Sequence, residues 1–262
     1  MILVFGGTTE GKKVAKLLQG KEMPFVYSTK TNINFRITKI ASYRDGALNE
    51  YQLKEYLLKN KIHTIINASH PFAEILHKTI AKVAEELQIP VIRFGRKLLS
   101  KTIHSLVKYV NSYEAALEQL EENDTLLALT GVQSIKRLKP WWKNNLSYFR
   151  ILDRPESLAI ARESNFTEKQ LILGLPSSNL EREIEIIKTK KISFILTKET
   201  GNSGFLNTKI EAALKTDAKI IIITQPKTPA YFKQVFNETE LYDLLITIHP
   251  LATLTKNSGL WG

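Results

Sequence analysis

The stretch Ile2-Leu3-Val4-Phe5-Gly6-Gly7-Thr8-Thr9-Glu10-Gly11 decides the fold class of this 262-residue chain. Its four apolar residues predict a buried strand, and its glycines predict a tight turn into a helix that runs to about Gln19. This order forms a seat for a phosphate group, because N–H groups at a helix N-terminus attract anions. The spacing Gly-Gly-x-x-x-Gly departs from the usual dinucleotide fingerprint, so a plain glycine-rich turn stays open as the alternative.

Strand-like and helical patterns alternate along the rest of the chain, which is typical of parallel α/β architecture. The other predicted strands are Phe25–Ser28, Ile37–Ala41, Ile62–Asn67, Pro90–Phe94, His104–Val110, Thr125–Thr130, Leu146–Ile151, Gln170–Gly174, Ile192–Thr197 and Lys219–Thr224. The other predicted helices are Tyr51–Asn60, Phe72–Leu87, Tyr113–Glu122, Ser157–Glu163, Asn179–Lys190, Asn207–Leu214 and Glu238–Thr247. We predict two Rossmann-like three-layer domains, over residues 1–97 and 98–262, each with a mostly parallel sheet.

The composition excludes several classes of protein. With 43% hydrophobic and 24% charged residues the chain is globular, and without cysteine it has no disulfide, thiolate metal site or Cys nucleophile. Its apolar runs are too short for a signal peptide or a membrane helix, so we expect a soluble cytoplasmic protein. The net charge of +11 favours an acidic ligand, although a solvated lysine-rich surface explains it equally well. We predict no nucleic-acid or membrane partner, and the oligomeric state cannot be read from the sequence.

The residues after the second strand bear on the choice of cofactor. An NAD-specific fold usually has an acid there to bind the ribose hydroxyls, whereas this chain has Ser28-Thr29-Lys30. Two hydroxyls and a cation suit the 2′-phosphate of NADPH. A solvated turn would have a similar composition, so this alternative also stays open.

A second glycine-containing loop, Lys198-Glu199-Thr200-Gly201, follows another buried strand. It offers hydroxyls, backbone donors and a cation at a helix start, which suit a carboxylate or phosphate. Lys209 lies in the following helix and faces either the same site or solvent. We assign Lys198, Thr200, Gly201 and Lys209 to the substrate, because one dinucleotide needs only one such loop for its pyrophosphate.

Three segments together resemble the precorrin-6A reductases, NADPH-dependent enzymes of cobalamin biosynthesis. They are the opening stretch; Asn67-Ala68-Ser69-His70-Pro71-Phe72-Ala73 with Ile89-Pro90-Val91-Ile92-Arg93; and Ile195-Leu196-Thr197-Lys198-Glu199-Thr200-Gly201 with Thr208-Lys209-Ile210-Glu211-Ala212-Ala213. The chain departs from the family pattern at three positions. Asn67 stands where the family usually has Asp, Ser69 replaces Thr, and Val132 stands where an Arg often follows the Thr-Gly matched by Thr130-Gly131.

The resemblance implies a reaction and a set of contacts. It implies hydride transfer from NADPH to a double bond of precorrin-6A or cobalt-precorrin-6A, giving the dihydro product precorrin-6B or its cobalt form. It also implies two Rossmann-like domains with ligands in the cleft between them, and a strand that is exchanged between the domains. Together with the glycine loop and the turn after the second strand, it gives as predicted cofactor contacts Gly6, Gly7, Thr8, Thr9, Glu10, Gly11, Ser28, Thr29, Lys30 and Ser69. Thr130 and Gly131 are implied as substrate contacts.

His70 is the predicted catalytic residue. It follows the fourth strand at the carboxyl end, where open α/β sheets bind ligands, and we expect Pro71 to open the next helix. The dipole of that helix would favour a neutral imidazole. A structural or surface histidine is the alternative, and the sequence identifies neither a proton donor nor a protein-bound metal. Whether the substrate carries cobalt also stays open.

Two other functions remain as alternatives. The first is another NAD(P)-dependent reductase or epimerase, although Tyr27-Ser28-Thr29-Lys30 is not the Tyr-x-x-x-Lys pair that short-chain enzymes use. The second is a non-catalytic nucleotide-sensing module that acts on nucleic acid through its basic surface. This second alternative would need a recognition helix or an aromatic platform, and neither is evident in the sequence.

Overall fold

The computed structural model describes residues 1–36, 38–98, 100–200 and 204–249 of the chain. These residues form two compact units. The first unit comprises Met1–Lys97 and the residues from Pro226 onward, and the second unit comprises Leu98–Gln225. Each unit contains a six-stranded sheet in which neighbouring strands are parallel, so the predicted α/β class is confirmed.

The first unit begins with the strand, turn and helix that the opening residues predict. In chain order its elements are β1 (Ile2–Phe5), α1 (Thr9–Gly20), β2 (Phe25–Thr29), β3 (Ala41–Asp45), α2 (Glu50–Lys59), β4 (Thr64–Asn67), α3 (Glu74–Glu86) and β5 (Val91–Phe94). Alternate strand residues pack to opposite faces of the sheet. Val4 and Ile66 pack in the same core as α1, whereas Leu3 and Ile65 pack with α2 and α3. Because both faces are covered, β1 is apolar along its whole length.

The second unit repeats this architecture. Its elements are β6 (Val107–Val110), α4 (Tyr113–Leu117), β7 (Leu126–Ala128), α5 (Ser134–Arg137), α6 (Lys139–Trp142), β8 (Ser147–Ile151), α7 (Pro155–Glu163), a 3-10 turn (Glu168–Gln170), β9 (Leu171–Leu173), α8 (Leu180–Thr189), β10 (Phe194–Lys198), α9 (Leu206–Lys215) and β11 (Lys219–Ile223). The strand order in the sheet is β6-β11-β10-β7-β8-β9. The short helices α5 and α6 are absent from the sequence-based prediction, because four residues are too few to show a helical period.

The assignment of the whole range 98–262 to a second domain is wrong for its last part. After β11 the chain returns to the first unit and forms β12 (Lys233–Val235) and α10 (Glu238–Ile248). Strand β12 pairs with β5, which gives the first sheet the order β12-β5-β4-β1-β2-β3. Leu241 and Leu245 of α10 are fully buried in the core that contains β1. Because β12 has only three residues, two of them polar and exposed, its sequence carries no strand signal.

The third strand also lies elsewhere than predicted. Ile37, where the predicted strand begins, is outside the described residues, and β3 starts only at Ala41. Strand β3 forms the edge of the first sheet and pairs only with β2. An edge strand has one open side, so polar residues such as Ser42 and Arg44 are tolerated there, and the apolar pattern is weak.

Candidate active site

The strand order of each sheet reverses at one point, and within each unit the predicted loops follow strands at that point. In the first sheet β2 and β3 lie on one side of β1, and β4, β5 and β12 lie on the other. The second sheet reverses in the same way between β7 and β10. Open parallel sheets bind ligands outside the carboxyl ends of their strands at such a switch point. In the first unit Thr8 Oγ1 donates a hydrogen bond of 2.7 Å to the Ala68 carbonyl, which joins the loops after β1 and β4.

Tyr27 explains the unusual glycine spacing of the first loop. The N–H of Gly7 donates to the Tyr27 hydroxyl at 3.0 Å. A Cβ atom at Gly6 would lie 2.2 Å from the Tyr27 ring, and one at Gly11 would lie 2.6 Å from its hydroxyl oxygen. Gly7 itself has a φ of +85°, which favours glycine. Two of the three glycines therefore make room for a tyrosine of the neighbouring strand.

The start of α1 remains available to an anion. Thr8 caps this helix, with its Oγ1 accepting from the N–H of Gly11 at 3.0 Å. The first N–H groups of a helix have no partner within the helix. Because the loop itself uses the N–H groups of Gly7 and Gly11, an anion bound here would accept from donors near Thr8 and Thr9.

Glu10 lies in this loop, but its carboxylate is engaged by a cation. Arg96 donates from Nε to one oxygen and from Nη2 to the other, both at 2.6 Å. Burial raises the pKa of Glu10, but hydrogen bonds from Arg96 and from the backbone outweigh it, so the pKa lies below its usual 4.5. Arg96 follows β5 and was not predicted as a site residue. Glu10 therefore positions a guanidinium beside the glycine loop.

Arg44, a cation that was not predicted as a site residue, lies beside the predicted 2′-phosphate turn. Ser28 Oγ is buried and accepts from Arg44 Nη1 at 2.6 Å. Thr29 Oγ1, also buried, is hydrogen-bonded to the hydroxyl of Tyr43 at 2.8 Å. Lys30 is exposed at the end of β2. Arg44 lies directly beside Ser28 in the β2–β3 register, so only a correctly placed third strand would have identified it.

Ser69 belongs to a buried polar network at the end of β4. Its Oγ donates to Asn67 Oδ1 at 2.7 Å, and Arg93 Nη1 donates to that same oxygen at 3.1 Å and to the Ser69 carbonyl at 2.9 Å. Asn67 thus keeps the acceptor role that an Asp would have, without the charge. Burial lowers the pKa of Arg93 to about 10, which leaves it cationic at neutral pH. Within the described residues the Asn67 Nδ2 donor is buried without a partner.

His70 is exposed, and a second histidine lies close to it. His70 Nδ1 accepts the N–H of Phe72 at 3.2 Å, a contact that requires Nδ1 to be unprotonated. The expectation that Pro71 opens the next helix is wrong, because residues 71–73 form a turn and α3 begins at Glu74. His77 on α3 was not predicted as a site residue. Burial and the charge of Arg93 lower the pKa of His77 to about 4, so its imidazole is neutral.

In the second unit, Tyr113 connects the loops after β7 and β10. Burial raises the pKa of its phenol, the nearby side chains of Thr130 and Ser134 partly oppose that rise, and Thr130 Oγ1 lies 2.6 Å from Ser134 Oγ. Lys198 Nζ lies 5.8 Å from the centroid of the Tyr113 ring. The predicted Thr130-Gly131 turn and Lys198 are therefore neighbours.

The rest of the Lys198 loop is only partly described. Thr200 lies within the described residues. A Cβ atom added at Gly204 would lie 1.9 Å from Thr200 Oγ1, so the Gly204 backbone approaches Thr200 closely. Gly201, predicted as a substrate contact, lies outside the described residues.

Lys209 is buried, so the interpretation as a solvent-facing lysine is wrong. Its Nζ donates to Thr197 Oγ1 at 3.3 Å, behind the end of β10. The Arg150–Glu183 pair, with buried contacts of 2.8 and 2.9 Å, is also in this region. Burial, assisted by the charge of Arg150, lowers the pKa of Lys209 to about 8. Lys209 therefore contacts the strand residue that precedes Lys198.

Comparison with known proteins identifies the family. The model of the precorrin-6x reductase family (CbiJ/CobK) matches residues 1–245. The chain belongs to this family. It is 29% identical over 245 residues to the cobalt-precorrin-6A reductase of Methanococcus maripaludis, covering 89% of this chain and 95% of that protein. It is 24% identical over 234 residues to the precorrin-6A reductase of Mycobacterium tuberculosis, covering 87% of this chain and 90% of the relative.

A solved structure supports the same fold. The structure titled CobK precorrin-6A reductase superposes with a TM-score of 0.75 at 20% identity, covering 95% of this chain and 97% of that one. The predicted family, the fold class and the assignment as an oxidoreductase of the corrin-ring pathway are confirmed. No helix in the described ranges has the length and apolar composition needed to cross a membrane. The same ranges contain no group of three or more His, Asp or Glu that could hold a metal ion.

Proposed function

We propose that this protein is an NADPH-dependent reductase of precorrin-6A or cobalt-precorrin-6A, which it converts to the dihydro product in the cytoplasm. Two observations together carry the proposal. The family model matches residues 1–245, and two loops suited to anions lie at the switch points of the sheets. In this proposal the first unit binds the cofactor and the second unit binds the substrate.

The glycine loop is the proposed pyrophosphate seat of NADPH. Thr8, Thr9 and the start of α1 supply backbone donors, and Gly7 keeps the approach open because a Cβ there would meet only Thr29, at 3.7 Å. Arg96 is held beside the loop by its ion pair with Glu10. Gly6 and Gly11 contribute through the space they leave for Tyr27. The residues of this unit therefore fit a dinucleotide.

The end of β2 is the proposed seat of the 2′-phosphate. Arg44 donates to Ser28 and to the carbonyls of Asp45 and Gly46, and these contacts hold its guanidinium at the strand end. A fixed guanidinium is well suited to a phosphate, because it can donate two parallel hydrogen bonds. Lys30 supplies a second, exposed cation. This pair of cations is the basis for preferring NADPH to NADH.

The second unit is proposed to bind the acidic arms of the macrocycle. Lys198 supplies a cation, and Thr130, Gly131, Thr200 and Gly201 supply hydroxyl and backbone groups. Lys209 acts from behind the loop by holding Thr197. A carboxylate in this environment would gain charge-assisted hydrogen bonds, which are stronger than neutral ones.

The chemistry is a two-electron reduction of one carbon–carbon double bond. Bound NADPH supplies a hydride to one carbon, and a proton is added at a neighbouring atom of the conjugated system. His70 is proposed to contact the reacting ligands as a neutral imidazole, with Nδ1 facing the Phe72 N–H and Nε2 carrying the proton. Ser69, held by Asn67, presents the loop backbone to the cofactor. The protein orients the reactants and lowers the cost of bringing them together.

Anaerobic incubation of the protein with NADPH and the purified macrocycle, with and without cobalt, tests the proposal. We expect NADPH oxidation that requires one of the two macrocycles and yields its dihydro product. An epimerase or a nucleotide-sensing module would leave NADPH reduced. Failure to oxidise NADPH with either macrocycle would refute the proposed reaction.

A further inference from the structure

Two cations of the second unit share one aromatic ring. Arg137 Cζ lies 5.3 Å from the centroid of Tyr113, and Lys198 Nζ lies 5.8 Å from the same centroid. Arg137 ends α5, and Lys198 ends β10. The two charges therefore come from different elements and converge at the switch point between β7 and β10.

Tyr113 is a rigid support for this pair. Ser112 caps α4 by accepting from the N–H of Ala115 at 3.0 Å, which fixes the start of the helix. The Tyr113 side chain is buried, and the side chains of Thr130 and Ser134 lie near its phenol. Burial raises the pKa of Tyr113 above 10, so the phenol is neutral and does not cancel either cation.

Each of Lys198 and Tyr113 is followed in the chain by an acid. Glu199 is buried, and its Oε2 accepts from the N–H of Gln225 at 2.9 Å, so it is committed to the segment that leaves β11. Glu114 is exposed on α4, where water weakens its field. Two cations close to one buried ring repel each other, and an anion bound by both would relieve that repulsion.

We propose that Arg137 and Lys198, supported by Tyr113, form a subsite for a carboxylate arm of the substrate, and that Arg137 is a further substrate-binding residue. The inference rests on the proposed function and adds a residue to it. Arg137 offers a planar fork that matches the two oxygens of a carboxylate, and Lys198 offers a second charge. The Tyr113 ring supports the apolar stem of the arm. A carboxylate is preferred to a cofactor phosphate because the proposed phosphate seats lie in the first unit.

Substitution of Arg137, with a matched control, tests the subsite. Arg137→Gln removes the charge, Arg137→Lys keeps the charge but not the fork, and Lys136→Gln removes an exposed charge from the preceding residue of α5. We expect Arg137→Gln to raise the substrate KM about 10- to 100-fold, with kcat and the NADPH Kd nearly unchanged. Arg137→Lys should fall between Arg137→Gln and the wild type, and Lys136→Gln should resemble the wild type.

Equilibrium binding of the macrocycle without NADPH separates this inference from the reaction itself. The wild type should bind the macrocycle more tightly than Arg137→Gln by the same factor, whether or not turnover follows. Equal macrocycle affinities of Arg137→Gln and Lys136→Gln would overturn the subsite even if the wild type is an active reductase. A larger loss of NADPH affinity than of macrocycle affinity in Arg137→Gln would overturn it as well.

Discussion

Glu10 and Arg96 form a two-point ion pair, in which Nε and Nη2 of the arginine each donate to a different carboxylate oxygen at 2.6 Å. Both side chains are largely shielded, with 14% and 17% of their surfaces exposed. Glu10 belongs to the glycine loop, and Arg96 lies beside the position where the chain leaves the first unit after Lys97. The pair therefore links the proposed cofactor loop to the end of the Met1–Lys97 segment.

Removal of the Glu10 charge should destabilise the first unit. Glu10→Gln leaves the Arg96 charge without its partner, and we expect the free energy of unfolding to fall by about 1–3 kcal/mol at pH 7. Urea denaturation of the variant and the wild type measures the difference. Glu22→Gln, at an exposed position at the end of α1, is the matched control and should have little effect. If the free energy of unfolding falls equally in the two variants, the Glu10–Arg96 pair does not stabilise the loop.

The pH dependence of this loss follows from the lowered pKa of Glu10. A carboxyl group whose pKa is depressed by folding stabilises the fold fully above its unfolded-state pKa, here near 4.5. That stabilisation is lost as the pH falls through the lower folded-state pKa. The difference between Glu10→Gln and the wild type should therefore be constant near neutrality and shrink below pH 4.5. A difference that grows as the pH falls would contradict the assigned direction.

The cations at the end of β2 should determine the choice between NADPH and NADH. We expect Lys30→Glu and Arg44→Gln each to weaken NADPH by about 1–3 kcal/mol and to affect NADH much less, because only NADPH carries the 2′-phosphate. Fluorescence titration with both cofactors measures these affinities. Lys39→Glu, an exposed lysine before β3, is the control. Equal affinity of the wild type for the two cofactors would contradict the assignment of this turn.

A side chain at Gly7 should block the cofactor without unfolding the protein. A Cβ there meets only the Thr29 side chain, at 3.7 Å, so the space within the protein is adequate. The φ of +85° adds strain of about 1–2 kcal/mol, which a domain of this size can absorb. We expect Gly7→Val to keep its circular dichroism spectrum and to lose NADPH binding. Normal binding by a folded variant would mean that the loop is only a turn.

Lys198→Ala should affect the substrate and spare the cofactor. A charge-assisted contact to a carboxylate is worth roughly 1.5–3 kcal/mol, so we expect kcat/KM to fall about 10- to 150-fold. The NADPH Kd should be nearly unchanged. Lys188→Ala, at an exposed lysine in the last turn of α8, provides the control. Weak NADPH binding with intact macrocycle binding would show that the two loops are assigned the wrong way round.

Most of the fold could be predicted from local sequence signals, but the edge strands and the long-range contacts could not. Strand β1 and its glycine turn were predicted because an apolar run and glycines are visible within ten residues. Strands β3 and β12 were misplaced or missed, because edge strands tolerate polar residues. The reason for the glycine spacing also lay outside the motif, in the Tyr27 side chain of the neighbouring strand.

Most of the site residues predicted from the sequence lie within a recognisable loop, and the partners of those residues from other elements were missed. Lys198 was predicted from its own loop and Thr130 from the family resemblance, but Tyr113, which lies beside both, starts a helix that carries no motif. Arg44 became visible only with the register of β3, and Arg96 contacts a residue 86 positions earlier in the chain. Such partners are specified by the packing of the sheet, and a single sequence does not reveal them.

Transfer of a deuterium label tests the central claim most directly. NADPH that carries deuterium at both C4 positions is incubated with the protein and the purified macrocycle, and the dihydro product is analysed by mass spectrometry. Because the hydride comes from C4 and the proton comes from elsewhere, we predict one deuterium on carbon in each product molecule. A dihydro product without deuterium, or NADPH oxidation that leaves the macrocycle unchanged, would contradict the proposed function.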